Sequence, residues 1–369
     1  MAWAALGSTY VEQARRSGDP SAYPQAEAAF TESRRVGPRD NRQALTGQAT
    51  LAAARHDFAA AAALAAEATT IDGFDAAASG LLAETLIELG RYDEADAGLQ
   101  KAADLSPDSP TLARISYLRE LHGDTAGAQE ALERSRAAAS SPAVAAYASF
   151  RLGELALHAG DLNTAALRYA ESQARDPSYL PALAGTAKVD AARGDVAAAV
   201  TAYRRVLDVL PLPQYATEFG DLLASLGRSE EASQQYALVA VQMQLIRANG
   251  GRTDLEAALF AADHGDPAVA LDLARREHAV RESIYTDDAL AWALHRNGSN
   301  TEALARSERA LRLGTRDATL HFHRGMIEAA LGRGPAATVS LRTALEINPY
   351  FSPLHAPTAQ AQLARLGGS

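Results

Sequence analysis

Residues 88–109 read ELGRYDEADAGLQKAADLSPDS. Gly90 precedes Ala95 by five residues, the apolar Leu99 follows four residues later, and Pro107 comes eight residues after that. The same skeleton returns along the chain. Ala stands at 26, 61, 95, 128, 165, 199, 232, 270, 303 and 337, with steps of 35, 34, 33, 37, 34, 33, 38, 33 and 34. Ten marks at one period define a repeated structural unit.

Each position in the unit has a physical reason. Gly sits five residues before the Ala at 90, 123, 160, 194, 227, 265, 298 and 332. There it can stop a helix in the left-handed conformation at low steric cost. Asp then starts the next helix in Gly123-Asp124, Gly160-Asp161, Gly194-Asp195 and Gly265-Asp266, because its side chain can accept from the free N–H groups of a first turn. Four residues after the Ala stand Phe30, Leu99, Leu132, Tyr169, Tyr203, Tyr236 and Leu341. That spacing puts a small and a large residue on one helix face. Pro38, Pro107, Pro177, Pro211 and Pro349 close several units, since Pro cannot continue a helix.

Composition agrees. The 369 residues exceed one ordinary core, which leaves several domains or an extended array. The chain is 47% hydrophobic and only 6% aromatic, and its apolar share is largely the helix formers Ala and Leu. A net charge of −10 argues against a nucleic-acid surface, which needs clustered Lys and Arg. The absence of Cys removes disulfides, thiolate metal sites and cysteine nucleophiles. No run of about 18 apolar residues appears, so no membrane insertion is expected. A structural unit begins directly after Met1 without the features of a signal peptide, which leaves room for a leader on a longer native chain. The compartment stays open.

On these marks the chain resembles the tetratricopeptide repeats, whose 34-residue unit carries this small, aromatic and Pro pattern. Trp3, Leu6, Gly7 and Tyr10 resemble the family's opening signature, and Leu152-Gly153 and Phe219-Gly220 its Leu-Gly pair. The resemblance implies an all-α, right-handed superhelical solenoid of about ten helix-turn-helix units with a C-terminal capping helix. Units 1–4 fall in residues 1–139, the first with an enlarged loop at SGDPSAYP; units 5–7 fall in 140–250; units 8–10 in 251–350; and the cap and tail, with Leu363 and Leu366, in 351–369. The 37-residue step is expected to hold a slack joint near 140–143, and the 38-residue step a second helix of unit 7 that overruns to about Asn249.

The resemblance also implies a non-catalytic scaffold that binds a protein or peptide in its concave groove, without cofactor. Groove positions transferred from the family fall on Glu84, Glu88, Tyr117, Glu120, Tyr147, Phe150, Glu154, His158 and Lys188, then on Tyr285, Asp288, Trp292, His295, Arg296, Phe322 and Met326. Positions 5 and 9 of the central units carry Gly80 and Glu84, Ala113 and Tyr117, Phe150 and Glu154, and Ala184 and Lys188. The family's Lys/Asn clamp for a C-terminal carboxylate is therefore missing, and the Glu-bearing groove suits a basic or neutral apolar ligand. Unburied ribbon ends add a homodimer through a terminal repeat to the expectations.

The rival reading is a metal- or small-molecule-binding accessory protein, cytoplasmic or extracytoplasmic, using His295, His321 and His323. The last two, at i and i+2, point to different sides of a helix, so a site needs a further ligand such as Asp287 or Asp288. Gly332-Arg333-Gly334-Pro335-Ala336-Ala337 has the spacing of a dinucleotide loop but falls on a turn between helices, without the strand such a loop requires.

Overall fold

A computed structural model describes residues 2–367. Among them there are twenty-one helices and no strand. Twenty form consecutive hairpins: α1 (Ala2–Ser17) with α2 (Ala22–Val36), α3 (Arg42–Ala54) with α4 (Phe58–Ile71), α5 (Ala76–Glu88) with α6 (Tyr92–Leu105), α7 (Ser109–Leu121) with α8 (Thr125–Ala137), and α9 (Pro142–His158) with α10 (Leu162–Arg175). The series continues with α11 (Leu180–Arg193) and α12 (Val196–Val209), α13 (Pro213–Ser225) and α14 (Ser229–Ala248), α15 (Asp254–His264) and α16 (Pro267–His278), α17 (Ile284–Arg296) and α18 (Asn300–Ala310), and α19 (Ala318–Ala330) and α20 (Gly334–Ile347). The last helix, α21 (His355–Gly367), covers the final hairpin: Ala356 and Ala359 are buried, and Leu363 and Leu366 pack on the C-terminal core. The architecture is a right-handed superhelical solenoid with a capping helix. No described helix is long and apolar enough to cross a membrane.

The Ala ladder is the spine of this stack. All ten residues, from Ala26 to Ala337, are buried. In four units the large residue four positions later, Phe30, Tyr169, Tyr236 or Leu341, fills the space beside a glycine on a facing helix. Phe30 occupies the room left by Gly7 and Gly47, and Tyr169 that left by Gly153 and Gly185; a Cβ on any of these four would collide with the ring. The expected caps form as well: Asp124 accepts from the Gly127 N–H at 2.9 Å, and Asp195 from that of Ala198 at 3.1 Å.

Three local details differ from the sequence reading, and one agrees with it. The loop of the first unit is only the four residues 18–21, because α2 starts at Ala22 and absorbs Tyr23 and Pro24 into its first turn. The 37-residue step also lengthens a helix: α9 has 17 residues, capped by the Ser141 hydroxyl with Pro142 in the first turn, and the linker before it is the four residues 138–141. The helix α14 overruns as expected, with 20 residues. Gly265 alone among the eight turn glycines is not left-handed, with φ at −129°. Pro267 follows at once and forces Asp266 into an extended conformation, so this turn is made differently.

The solenoid winds back onto itself. The Tyr92 hydroxyl accepts from the backbone N–H of Ile284 at 2.9 Å, 192 residues away. Arg281 Nη1 donates to Glu88 at 2.9 Å across 193 residues, and Asn348 Nδ2 donates to the Leu157 carbonyl at 2.9 Å across 191. The Arg252 N–H donates to the Arg55 carbonyl at 2.8 Å, and Gly18 lies against Leu210 and Leu212. One superhelical turn thus takes between five and six units. The turns within hairpins of the first half touch the linkers between hairpins of the second, forming a seam. At Gly90 and Gly123 a Cβ would run into the carbonyls of Glu282 and Gly314 on the other side.

Candidate functional site

The seam converts part of the concave groove into a partly open inner cavity of about 1020 Å³. Its first wall comes from the inner helices of units 4–7: Glu120 on α7, Leu155 and His158 on α9, Lys188 on α11, and Glu218, Asp221 and Ser225 on α13. Its second wall comes from the next superhelical turn, through Tyr285, Asp317, Asn348, Tyr350 and Phe351, and the cap contributes Ala356 and Gln360.

A chain of charges runs along the first wall. Lys188 Nζ lies 3.2 Å from Glu154 and 3.9 Å from Glu218. Glu154 also accepts from the Tyr169 hydroxyl at 2.5 Å. Burial pushes the Glu154 carboxyl up, but Lys188, His158, the Tyr169 hydroxyl and Arg151 together hold it at about 2. Glu120 contacts Arg151 at 3.2 Å and His158 Nδ1 at 2.9 Å. Burial alone would lower the His158 imidazole, yet the hydrogen bond and charge of Glu120 raise it above the usual histidine value. Burial raises Glu218 and Asp317 above the usual carboxylate range; Lys188 opposes this only in part for Glu218, and His158 only in part for Asp317.

The groove positions transferred from the family separate into three groups. Glu120, Glu154, His158, Lys188 and Tyr285 meet at or directly behind the cavity. Glu84 pairs with Arg114 at 2.6 Å, Tyr117 lies under the Arg151 guanidinium, Phe150 packs on Tyr169 and Tyr179, and Tyr147 is exposed. Glu88 belongs to the seam through Arg281, and burial raises its carboxyl despite that partner.

The third group is interior. Trp292 is 4% exposed and Phe322 1%. The Trp292 indole stacks on His323 with centroids 4.2 Å apart, and its Nε1 donates to Asp263 at 2.8 Å. Phe322 stacks on His355 of the cap, and Met326 packs against the same C-terminal core. Residues this deep are unavailable to a partner in the groove: the cap and the neighbouring helix already cover them. His295 stacks on Trp292 and holds Asn300 at 2.7 Å through Nδ1, and Arg296 donates to the Ala262 carbonyl at 2.8 Å.

The histidines of the rival reading are separated in the same way. His323 Nδ1 meets Asp288 at 3.0 Å inside the core, while His295 is engaged with Asn300. Asp287 is fully buried among Arg306, Arg309, Arg312 and His278. Among the described residues no group of three or more His, Cys, Asp or Glu gathers in a way that could hold a metal ion.

Sequence reasoning missed Glu218, Asp221, Asp317, Asn348 and the Tyr350-Phe351 pair. Asp221 was findable, since it stands eleven residues before Ala232 as Lys188 stands before Ala199 and Glu154 before Ala165. Glu218, on the inner helix α13, stands fourteen residues before Ala232, one place from the transferred position that Phe150 holds fifteen before Ala165; Asp317, Asn348 and the Tyr350-Phe351 pair were hidden, because they reach the cavity from linkers of the second superhelical turn.

The chain is 27% identical over 259 residues to Cellulose synthase 1 operon protein C of Komagataeibacter xylinus, a match covering 65% of this chain and 19% of that protein, so it spans about a fifth of that relative's length. A structure titled human IFIT1 dimer with m7Gppp-AAAA matches 79% of this chain and 68% of its own, at 16% identity and a TM-score of 0.52. A tetratricopeptide repeat protein from Parabacteroides merdae matches 71% of this chain and 99% of its own, at 17% identity and a TM-score of 0.40. Tetratricopeptide repeat models match residues 52–116, 121–179 and 289–350, which together make up about half of the chain. With its period, its buried Ala ladder and its helical hairpins, the chain belongs to the tetratricopeptide repeat family.

Proposed function

We propose that this chain is a non-catalytic scaffold that holds a short segment of another protein in its inner cavity. The fold is that of a protein-interaction scaffold, and the observation that carries the finer reading is the cavity of about 1020 Å³ between two turns of the solenoid. Such a space sits at the upper end of the roughly 300–1,000 Å³ that ligand sites enclose, enough for a few peptide residues. Its lining mixes aromatic and apolar faces with a few charged groups, the combination that anchors a bound segment. The likeness to the cellulose synthase operon protein makes other products of such an operon the first partners to test.

Peptide display against the chain, repeated with Ala192→Trp and Ser225→Trp, tests the location. Both side chains line the cavity, Ala192 half-buried and Ser225 exposed, so an indole there fills space rather than core. Enriched peptides should bind both variants roughly tenfold or more weakly, with melting temperatures close to the parent's. Peptides that bind the parent and both variants equally would place the contact elsewhere.

A further inference from the structure

The lining contains both signs of charge, but they are not evenly matched. Among the cavity carboxylates, Glu120 is met by Arg151 and His158, and Asp221 by His264 at 3.0 Å and the Tyr236 hydroxyl at 2.9 Å. Glu218 has only a 3.9 Å contact with Lys188, which lies nearer Glu154, and a 3.4 Å hydrogen bond from the Tyr203 hydroxyl. Asp317 Oδ1 accepts from the Thr319 and Leu320 N–H groups at 2.8 and 3.3 Å. No described cation lies within ion-pair distance of Asp317.

Glu218 and Asp317 are half-buried, and two carboxylates partly withdrawn from water without a full counter-charge are costly; this desolvation raises both above their ordinary values. A cation entering the void would supply what the chain does not. The rings of Tyr203, Tyr285, Tyr350 and Phe351 line the same void, and flat aromatic faces favour a guanidinium over a compact ammonium.

We propose that the cavity accepts an arginine side chain of the bound segment, with Glu218 and Asp317 as its carboxylate partners. This rests on the reading of the cavity as a peptide site. It makes the ligand basic, the opposite of a carboxylate tail held by a Lys/Asn clamp.

Calorimetric titration of the full chain with three capped tripeptides, Leu-Arg-Leu, Leu-Gln-Leu and Leu-Glu-Leu, tests it, with putrescine as a free cation. The Arg peptide should bind roughly tenfold or more tightly than the Gln peptide, and the Glu peptide most weakly. In the double variant Glu218→Gln, Asp317→Asn the advantage of Arg over Gln should fall to less than about threefold, while the Gln peptide binds as before. Asn at 317 keeps the helix cap, and a melting curve verifies the fold. Equal binding of the Arg and Gln peptides, or an Arg advantage that survives the double variant, overturns the proposal and leaves the peptide site standing. No binding by any peptide removes both. Putrescine binding more tightly than the Arg peptide, and lost in the double variant, would reassign the carboxylates to a free amine and overturn the side-chain reading.

Discussion

At the scale of single residues, the fold rests on small side chains that let helices approach. Ala199 is fully buried among Ala187, Tyr203 and Phe219. Ala199→Leu should cost about 1–3 kcal/mol by overpacking, measured by urea unfolding, whereas Ala197→Leu on the exposed face should stay within about 0.5 kcal/mol. Equal costs would show the repeat register to be wrong. Glu154 supplies a pH-dependent test. Its folded pKa of about 2 lies below the unfolded value, so its contribution is present above the ordinary Glu range and is lost as pH falls toward 2. Between pH 4.5 and 2, Glu154→Gln should lose less stability than the parent, by a difference of the order of 3 kcal/mol; parallel acid limbs would contradict the assignment. The ladder was legible because every Ala at the period is buried. The role of Trp292 was not, because its position in the unit is a groove position and only the packing of α21 and His323 shows that the groove is closed there.

At the scale of elements, hairpins and their turns follow local rules, and those rules were readable: a glycine stop, an Asp cap and a Pro end. What local rules cannot show is that some turns carry a second duty. Gly90 and Gly298 are both left-handed, at φ 79° and 80°, so replacing either by Ala costs about 1–2 kcal/mol of backbone strain. Nothing lies within 4 Å of a Cβ at Gly298, while at Gly90 it meets the Glu282 carbonyl across the seam. Gly90→Ala should therefore destabilise clearly more than Gly298→Ala in thermal unfolding. A matched loss in the two would mean that the seam is loose in solution.

At the scale of the whole molecule, the contacts that matter join residues 191 to 193 positions apart. Periodicity fixes the unit and its neighbours but not the superhelical pitch, which accumulates from small rotations between units. For this reason Glu84, Tyr117 and Lys188 could be placed on an inner wall from the sequence, whereas Asp317 and Asn348, which complete the cavity, could not. The seam turns part of an open groove into a partly open cavity, and the proposed peptide site depends on it. The chain contains no Cys, so a single pair introduced as His122→Cys and Arg316→Cys, at exposed positions on the two sides of the Gly123–Gly314 contact, can carry two spin labels without background. Electron–electron distance measurement on that pair should give one narrow, short distribution set by the label arms. A broad distribution, or one shifted to distances well beyond the reach of two label arms, would show that the turns stand apart and would contradict the closed solenoid.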